Sequence, residues 1–498
     1  MSTKRAIIIG AGMAGLSAGC YLQMNGYETE IYELHSVAGG LCTAWKKGGY
    51  VFDGCVHSIG GLNPRYKLNR YWKELVDLDS MKFHFHEELC QIRETDGRVI
   101  HFYTDPDKLE QELLSIAPED EGFIRDFIKA VKHLSKYDTG PSKPIELWTP
   151  LDYYLRQFVT APYIQYLMKW QKSMQEMTRA CKSPRLKRVL NGGFFSHYPA
   201  YFFLFGLGVL HNRDAGYPIG GSLPLALSIE KKYLALGGKI HFNAKVTRIN
   251  VEKNRAVGVT LENGEIHNGA DVVISAADGH YTIFEMLGGK YCSKKIWELY
   301  DRHPMWPSAV LVFLGLSRTF ENEASQIALS LETPFVVDDS TQLDTLPIMI
   351  YNMDPTLAEK GKTSMRMILE TYNYRYWQDL RDHDSKKYEQ EKERVARDLI
   401  AILDRRLGNI AAHVEVVDVA TPATFYRYTN NWKGCIQGWE WLPGLIPETG
   451  KKVLPGLKHF YMIGQWILPG GGVTSALIMG RDITRIICKK DRRKFQTG

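Results

Sequence analysis

Three features of the sequence predict an α/β fold organised around a parallel sheet. The first is the apolar run Ala6-Ile7-Ile8-Ile9, which leads straight into Gly10-Ala11-Gly12-Met13-Ala14-Gly15. Four apolar residues are too few for a helix, and the turn after them has G-x-G-x-x-G spacing, so the pair reads as a buried central strand running into a ligand-binding turn. The second is a helix closing at Asn25-Gly26, then a strand from Thr29 to Tyr32 that ends in Glu33. The third is another strand, glycine-rich loop and helix near the far end, Phe460 to Ala476.

At the first turn, Gly10 permits the tight bend, Gly12 lets backbone N–H groups approach a pyrophosphate, and Gly15 lets the helix pack close on the strand. Phosphates are favoured at a helix N-terminus, so Gly10, Gly12, Met13, Ala14 and Gly15 are candidate cofactor contacts. An acid about twenty residues past the glycines, at a strand end, is where a ribose hydroxyl would be held. Glu33, with Leu34 after it, stands there. A glycine-rich turn in some other α/β domain is the plainer reading, and the order strand, turn, helix, strand, acid favours the dinucleotide site.

With 498 residues, two or three domains are expected. The net charge of +6 is mild for this length, and no basic stripe with interleaved aromatics points to nucleic acid. The basic tail from Lys489 to Lys494 reads as a solvated terminus, with contact to an anionic membrane as the alternative. Eight cysteines are scattered without metal-ligand spacing, so no metal site and no disulfide framework are indicated. Reduced thiols fit a cytoplasmic location. Lys4-Arg5 before an apolar run resembles a signal peptide, but a strand and glycine turn starting there argue for mature fold. The most apolar stretch, Phe194 to Leu210, is broken by Ser196, His197 and Pro199 and falls short of the ~20 residues a spanning helix needs. A membrane contact would therefore be peripheral, on the inner surface.

After Glu33 come Ala38-Gly39-Gly40-Leu41 and Gly49-Tyr50-Val51-Phe52-Asp53-Gly54. The pattern E-x5-GG followed by G-Y-x-F-D-G resembles the flavin amine oxidase superfamily, specifically its phytoene desaturase, carotenoid isomerase and retinol saturase branch. The resemblance implies FAD at the first glycine motif, with Gly39, Gly40 and Leu41 at the cofactor and Val56 and His57 on a segment running past the flavin. A plain core histidine is the alternative for His57.

Residues 71–214 show helical periods and many aromatics. Phe123, Phe127, Val131 and Leu134 fall on one helix face behind the acidic turn Pro118-Glu119-Asp120-Glu121, Thr139-Gly140-Pro141-Ser142 reads as a loop, and 151–179 as a further helical stretch. From Tyr217 the chain returns to a helix ending at Leu236, a strand Lys239–Phe242, and antiparallel strands over 246–267 with Asn263-Gly264 as a hairpin turn. Ala270 to Ala276 reads as a buried strand. In the resembled family, the residue matching Val246 meets the adenine through its backbone. Within 285–450, Pro307–Leu316 reads as a strand, and Val395, Leu399, Ile402, Leu403 and Leu407 mark a helix.

The closing motif resembles the C-terminal flavin motif of the same branch. It implies that Gly464, Gln465, Gly472, Val473 and Thr474 meet the cofactor, where a helix N-terminus would face the electron-rich edge of a reduced flavin. The segments 421–429 and 431–434 also resemble that branch. Leu41 stands where many members have arginine, and Gln465 where many have an acid, which favours the isomerase and saturase side.

The other constellations are weaker. His84-Phe85-His86 would set two imidazoles on one strand face, but no third ligand is spaced to complete a metal site. Cys42 and Cys435 read as small buried thiols rather than redox residues. The aromatics between 191 and 217, Phe194, Phe195, Tyr198, Tyr201, Phe202, Phe203, Phe205 and Tyr217, would line a tunnel for a long apolar substrate or form an aromatic core.

The expected architecture is a Rossmann-like, glutathione-reductase-type FAD-binding domain assembled from 1–70, 215–285 and 451–498, with an inserted mixed α+β substrate domain from 71–214 and 286–450. The resemblance implies an FAD-dependent oxidoreductase acting on carbon–carbon bonds of an isoprenoid or comparable lipid, by desaturation, saturation or cis/trans isomerisation at flavin N5. The alternatives are an amine oxidase acting on C–N bonds and a non-redox lipid escort of the GDP-dissociation-inhibitor type. Both intact glycine motifs and Glu33 argue against the escort. Arg427, Tyr428 and Glu440 lie just before the flavin loop, and the sequence assigns no catalytic acid or base.

Overall fold

The computed structural model describes residues 3–138, 143–192, 198–444, 450–468 and 470–497. The expected loop at Thr139–Ser142, the aromatics Phe194 and Phe195, and Pro469 of the closing motif lie outside the described residues.

The apolar opening run forms the strand Lys4–Ile9, with Ala6, Ile7 and Ile8 wholly buried. A run apolar on both faces suits the middle of a covered parallel sheet. It pairs in parallel with Tyr27–Tyr32 on one side and Val272–Ser275 on the other. Lys239–His241 and Phe460–Met462 extend the two edges, also in parallel. One five-stranded sheet thus gathers three stretches that are far apart in sequence.

The helix Met13–Met24 comes directly after the first strand and packs against Ser222–Ala235 and the terminal helix Val473–Lys490. Small residues set these contacts. A Cβ on Gly19 would stand 2.6 Å from the Tyr233 ring, and one on Gly480 would stand 2.4 Å from the Ala18 nitrogen. Ser17 Oγ donates to the Leu477 carbonyl at 2.7 Å, joining the first and last helices of the chain.

A second sheet has seven strands in the order Val414–Ala420, Ser308–Leu316, Thr363–Thr371, Gln342–Ile350, Gln326–Val336, Glu88–Arg93 and Val99–Tyr103. All neighbours are antiparallel except Gln326–Val336 with Glu88–Arg93. The helical reading of 71–214 misses its last two strands. They are short and only alternately apolar, and the pair joins the sheet through residues more than two hundred positions away.

The antiparallel trio Val246–Glu252, Arg255–Leu261 and Ile266–Asn268 turns at Asn263-Gly264, with Gly264 at φ +88°. Helix Glu121–Leu134 buries Phe127, Val131 and Leu134 behind a short turn at Pro118–Asp120, whereas Phe123 is half-buried. Instead of one helical stretch over 151–179, the chain forms the helix Pro150–Lys169, breaks at the buried Trp170, and makes a single turn at Met174–Met177. Among the described residues, no helix is long and apolar enough to cross a membrane.

Candidate functional site

A cavity of about 1110 Å³ opens at the C-terminal end of the first strand. Gly10, Gly12, Met13 and Ala14 line it where that strand gives way to the helix, and Glu33 and Leu34 line it at the end of the next strand. Gly39, Gly40 and Leu41 add a second backbone-lined stretch, His57 and Val246 further wall, and Gly464, Gln465, Gly472 and Val473 the contribution of the closing motif. Two helix N-termini, at Met13 and Val473, therefore face one space.

Three candidates do not line the cavity. Gly15 acts in packing, since a Cβ there would lie 2.0 Å from the Gly10 carbonyl oxygen. Val56 is buried and donates its N–H to Ser222 Oγ at 2.8 Å. Thr474 turns its hydroxyl to the Gly60 carbonyl at 3.1 Å, away from the cavity.

Glu33 is fixed by the backbone around it. Its carboxylate accepts the Ala11 N–H at 2.5 Å and the His35 N–H at 2.9 Å. Burial pushes its carboxyl upward, and those two N–H bonds act in the opposite sense.

The G-Y-x-F-D-G motif works mainly through Asp53. This wholly buried carboxylate accepts from the Ser222 N–H and hydroxyl at 2.9 and 2.5 Å, the Cys55 N–H at 3.0 Å and the Tyr217 hydroxyl at 3.2 Å. It thereby ties the glycine-pair region to the start of helix Ser222–Ala235. The buried Arg366 donates to the Asp53 carbonyl at 2.6 Å and lies 3.4 Å from His57 Nδ1. A guanidinium only donates, so His57 Nδ1 is the acceptor and its proton sits on Nε2. His57 opens onto the cavity, and desolvation by the surrounding wall together with the Arg366 charge lowers it to about 3, which keeps it neutral.

Sequence reasoning missed Arg366, which comes from a strand three hundred residues away in the chain. It also missed the wall formed by Ile368, Leu311 and Ala420. These three sit in register on adjacent strands of the seven-stranded sheet, and all line the cavity. Gln437 was missed as well: it lines the cavity, and its Oε1 is buried without a hydrogen-bond partner among the described residues.

Arg427 and Tyr428 reach the cavity, whereas Glu440 lies outside it, with the Tyr372 hydroxyl 3.4 Å away. Among the described aromatics between 191 and 217, none lines the cavity. Tyr198 stacks on Trp306, Phe202 lies against Trp441, and Phe203 meets Phe102 and Phe127, so they form core. Of the two cysteines weighed, Cys42 lines the cavity and its Sγ lies 3.4 Å from the Ser222 carbonyl. Cys435 is wholly buried, and burial pushes its thiol up to about 12. His84 and His86 meet edge to face at 4.7 Å.

The residues present fit a long, phosphate-bearing cofactor. A Cβ on Gly12 or Gly472 would meet nothing within 4 Å, so both leave backbone open to the cavity. Helix N-termini and a fixed acid complete the donor set that a dinucleotide needs. The volume exceeds the roughly 300–1,000 Å³ typical of drug-sized ligands.

Such a cavity, in a fold of mixed helix and sheet, is that of a protein that binds a dinucleotide-type cofactor. A profile of the flavin containing amine oxidoreductases matches residues 13–485, and the chain belongs to that family. It is an FAD-dependent oxidoreductase. Its relatives include prolycopene isomerase 1, chloroplastic, of an Oncidium hybrid cultivar, 24% identical and covering 95% of this chain and 82% of the relative. A 4,4'-diapophytoene desaturase (4,4'-diapolycopene-forming) of Methylomonas sp is 23% identical over 99% of this chain and 97% of its own. An all-trans-retinol 13,14-reductase of Danio rerio is 23% identical over 95% and 85%. Among solved structures, a wild-type putrescine oxidase bound to putrescine has the same fold at 15% identity, with a TM-score of 0.59 and coverage of 98% of this chain and 99% of that one.

Proposed function

We propose that this enzyme carries out redox chemistry or flavin-assisted isomerisation on carbon–carbon double bonds of a long isoprenoid or comparable lipid. The observation that carries this reading is the aliphatic wall of Ile368, Leu311 and Ala420, set in register on three strands in the same cavity as the glycine loops. A polyene has no charge to pair, and its affinity comes from burying apolar surface. The names of the isomerase, desaturase and retinol reductase relatives support the same substrate class.

An amine substrate would be a cation and would want a free carboxylate. The carboxylates lining the cavity all have partners. Glu33 accepts two backbone N–H groups, Asp278 accepts those of Tyr281 and Trp432, Asp418 is paired with Lys47 and Trp45, and Glu389 with Lys392. An amine would have to displace one of these bonds, so the C–N reading has less support.

In this proposal the parallel sheet is the core of a Rossmann-like, glutathione-reductase-type FAD domain drawn from 1–70, 215–285 and 451–498, and 71–214 with 286–450 holds the substrate. Gly10, Gly12, Met13 and Ala14 would cradle the pyrophosphate, Glu33 the ribose, Val246 the adenine, and Gly464, Gln465, Gly472 and Val473 the flavin end. When bound, the flavin supplies reversible hydride acceptance. The chain's own part is to orient and to exclude water. Arg366 locks His57 as a neutral Nε2–H donor, Gln437 offers an acceptor that has no partner among the described residues, and the three-strand wall keeps the bond's surroundings apolar.

The test is to monitor the flavin spectrum of the loaded enzyme anaerobically while offering polyene and more saturated isoprenoids. Bleaching of the oxidised flavin selects desaturation, reoxidation of pre-reduced flavin selects saturation, and product change without either selects isomerisation. Turnover of simple amines with peroxide release, and none of isoprenoids, would overturn the proposal.

A further inference from the structure

We propose that helix Pro150–Lys169 is a membrane-docking helix that lies in the surface of an anionic lipid bilayer. It has twenty residues, and none is buried. Leu151, Tyr154, Leu155 and Phe158, at i, i+3, i+4 and i+7, form one outward stripe and are 63, 57, 52 and 60% exposed. Tyr153, Val159, Ile164 and Met168 are also at least half exposed, so the apolar surface runs round the helix beyond a single stripe. A contiguous apolar patch left open on a folded domain marks an interaction surface.

The helix is nonetheless built and held. Thr149 and Asp152 form a reciprocal cap at its start, where Lys143 pairs with Asp152 at 2.5 Å. On its inner side the Tyr166 ring stacks on His133 at 4.1 Å, and Tyr163 meets Tyr137 at 4.5 Å. Trp170 is buried just beyond its end, and the Trp170 carbonyl accepts the Tyr201 N–H at 2.9 Å. The exposed face is therefore a fixed part of the surface.

Charge identifies the occupant. Residues 143–192 hold nine Lys and Arg against three Asp and Glu, a net +6 in sequence, although Lys169, Arg185 and Arg188 are paired with Asp126, Glu94 and Asp96 from outside the segment. The three acids are already engaged: Glu146 by Lys452, Asp152 by Lys143, and Glu176 in the cap at Ser173. Lys172, Arg179 and Lys182 are exposed, and among the described residues none has an acid within ion-pair distance. An apolar helix beside exposed, unpaired cations is the chemistry of an anionic lipid surface. A second copy would bury the same stripe but bring one basic segment against another. The helix also carries Asp152, Arg156 and Lys169 and a proline at 162, which fits lying on a bilayer and not spanning it.

Docking is read without turnover, so it stands or falls separately from the proposed reaction. The experiment is vesicle flotation of the flavin-loaded full chain with phosphatidylcholine alone and with an equimolar mixture of phosphatidylcholine and phosphatidylglycerol. The wild type is expected to float with the mixed vesicles at least ~10-fold more than with the neutral ones. Leu155→Glu/Phe158→Glu is expected to cut flotation at least ~10-fold with flavin content unchanged. Should that variant lose its flavin or its helical signal, Arg179→Glu/Lys182→Glu, which leaves the helix intact, is expected to lower flotation and abolish the preference for anionic vesicles. Absence of wild-type flotation overturns the proposal, as does flotation equal on neutral and anionic vesicles or indifferent to both variants. Sedimentation showing a dimer that Leu155→Glu/Phe158→Glu dissolves, with vesicles ignored, assigns the face to a second copy and overturns it too.

Discussion

Adding one methyl group at two glycines of the same loop separates space reserved for a cofactor from space needed for folding. At Gly12 the backbone has φ −65° and ψ 172°, a conformation any residue adopts, and an added Cβ meets no protein atom within 4 Å. Gly12→Ala should therefore leave the flavin-free protein unharmed, and by narrowing the unfolded ensemble should stabilise it by ~0.4–1 kcal/mol. At Gly15 the Cβ would lie 2.0 Å from the Gly10 oxygen and 3.1 Å from the Gly10 carbonyl carbon, both backbone atoms that cannot rotate away. Gly15→Ala should cost about 1–3 kcal/mol or more through overpacking, with or without cofactor. The variants diverge on adding FAD. At a hundredfold excess over Kd, binding stabilises the wild type by ~2.7 kcal/mol, and each tenfold loss of affinity removes ~1.4 kcal/mol of that. Urea unfolding of deflavinated protein, with and without FAD, reads both terms from the transition midpoints. Gly12→Ala should match or exceed the wild type without FAD and gain much less from it. A flavin-free Gly12→Ala that unfolds earlier than wild type, or a loaded one that keeps stoichiometric flavin through dialysis, would refute the assignment of that space to the pyrophosphate.

The buried charges give three further outcomes. Arg481 and Glu74 meet at 2.7 Å with both side chains only 7% exposed, and Glu74 also holds the Tyr21 hydroxyl at 2.8 Å and Arg70 at 3.4 Å, so Arg481→Met should cost ~1.5–3 kcal/mol, while Glu74→Gln/Arg481→Met recovers most of it; a double variant as unstable as the sum of its singles would show that the pair is not coupled. Glu370 is pushed up to about 8 by burial and by the neighbouring Glu440, so its protonated form is the one the fold prefers. Its contribution is full below the ordinary glutamate range and is lost as pH rises through about 8, and Glu370→Gln should flatten that part of a stability profile measured by denaturant unfolding. His57, held down near 3 by desolvation and Arg366, favours the fold while neutral, and this contribution is lost only as pH falls below the ordinary histidine range toward 3. Its imidazole nitrogen shifts should stay constant between pH 5 and 8, in contrast to those of an unperturbed histidine; titration near neutrality would contradict the Nε2–H assignment.

What the sequence reveals of this site is what neighbouring residues encode. A strand, a tight turn and a helix start lie within a few positions of one another, so Gly10, Gly12, Met13 and Ala14, and Gly464, Gln465, Gly472 and Val473, are readable from local pattern, and all line the cavity. What remains hidden is decided by pairing across the chain. Nothing near Arg366 shows that its guanidinium reaches Asp53 and His57, because that contact depends on the strand Thr363–Thr371 lying beside Ser308–Leu316. The aliphatic wall has the same origin: Leu311, Ile368 and Ala420 look like ordinary strand residues until register aligns them. The aromatics of 198–205 mislead in the opposite direction, since apolar character alone does not distinguish a tunnel wall from a core, and here they pack on Trp306, Trp441 and Phe102. Helix Pro150–Lys169 makes the same point from outside. Its residue types suggest burial, and only three-dimensional placement exposes them.

The dependence of the cavity on distant pairing bears on how cofactor binding and folding are coupled. The first glycine loop is local, but the wall opposite its own strand end exists only once Phe460–Met462 joins the sheet edge and the terminal helix docks with Gly480 against Ala18 and Ser17. Contacts between the two ends of a chain carry the largest loop-closure cost and form late. FAD would then bind a nearly complete fold, and its binding free energy would add directly to the stability of that last docking step. The buried Arg481–Glu74 pair lies at the same seam, holding the terminal helix to the helix Lys67–Lys73 region. Loosening that pair should therefore raise the FAD concentration needed to saturate the site, although neither side chain lines the cavity. Flavin titration of the deflavinated Arg481→Met variant measures this directly, and an affinity equal to wild type would show that the terminal helix is docked independently of the pair.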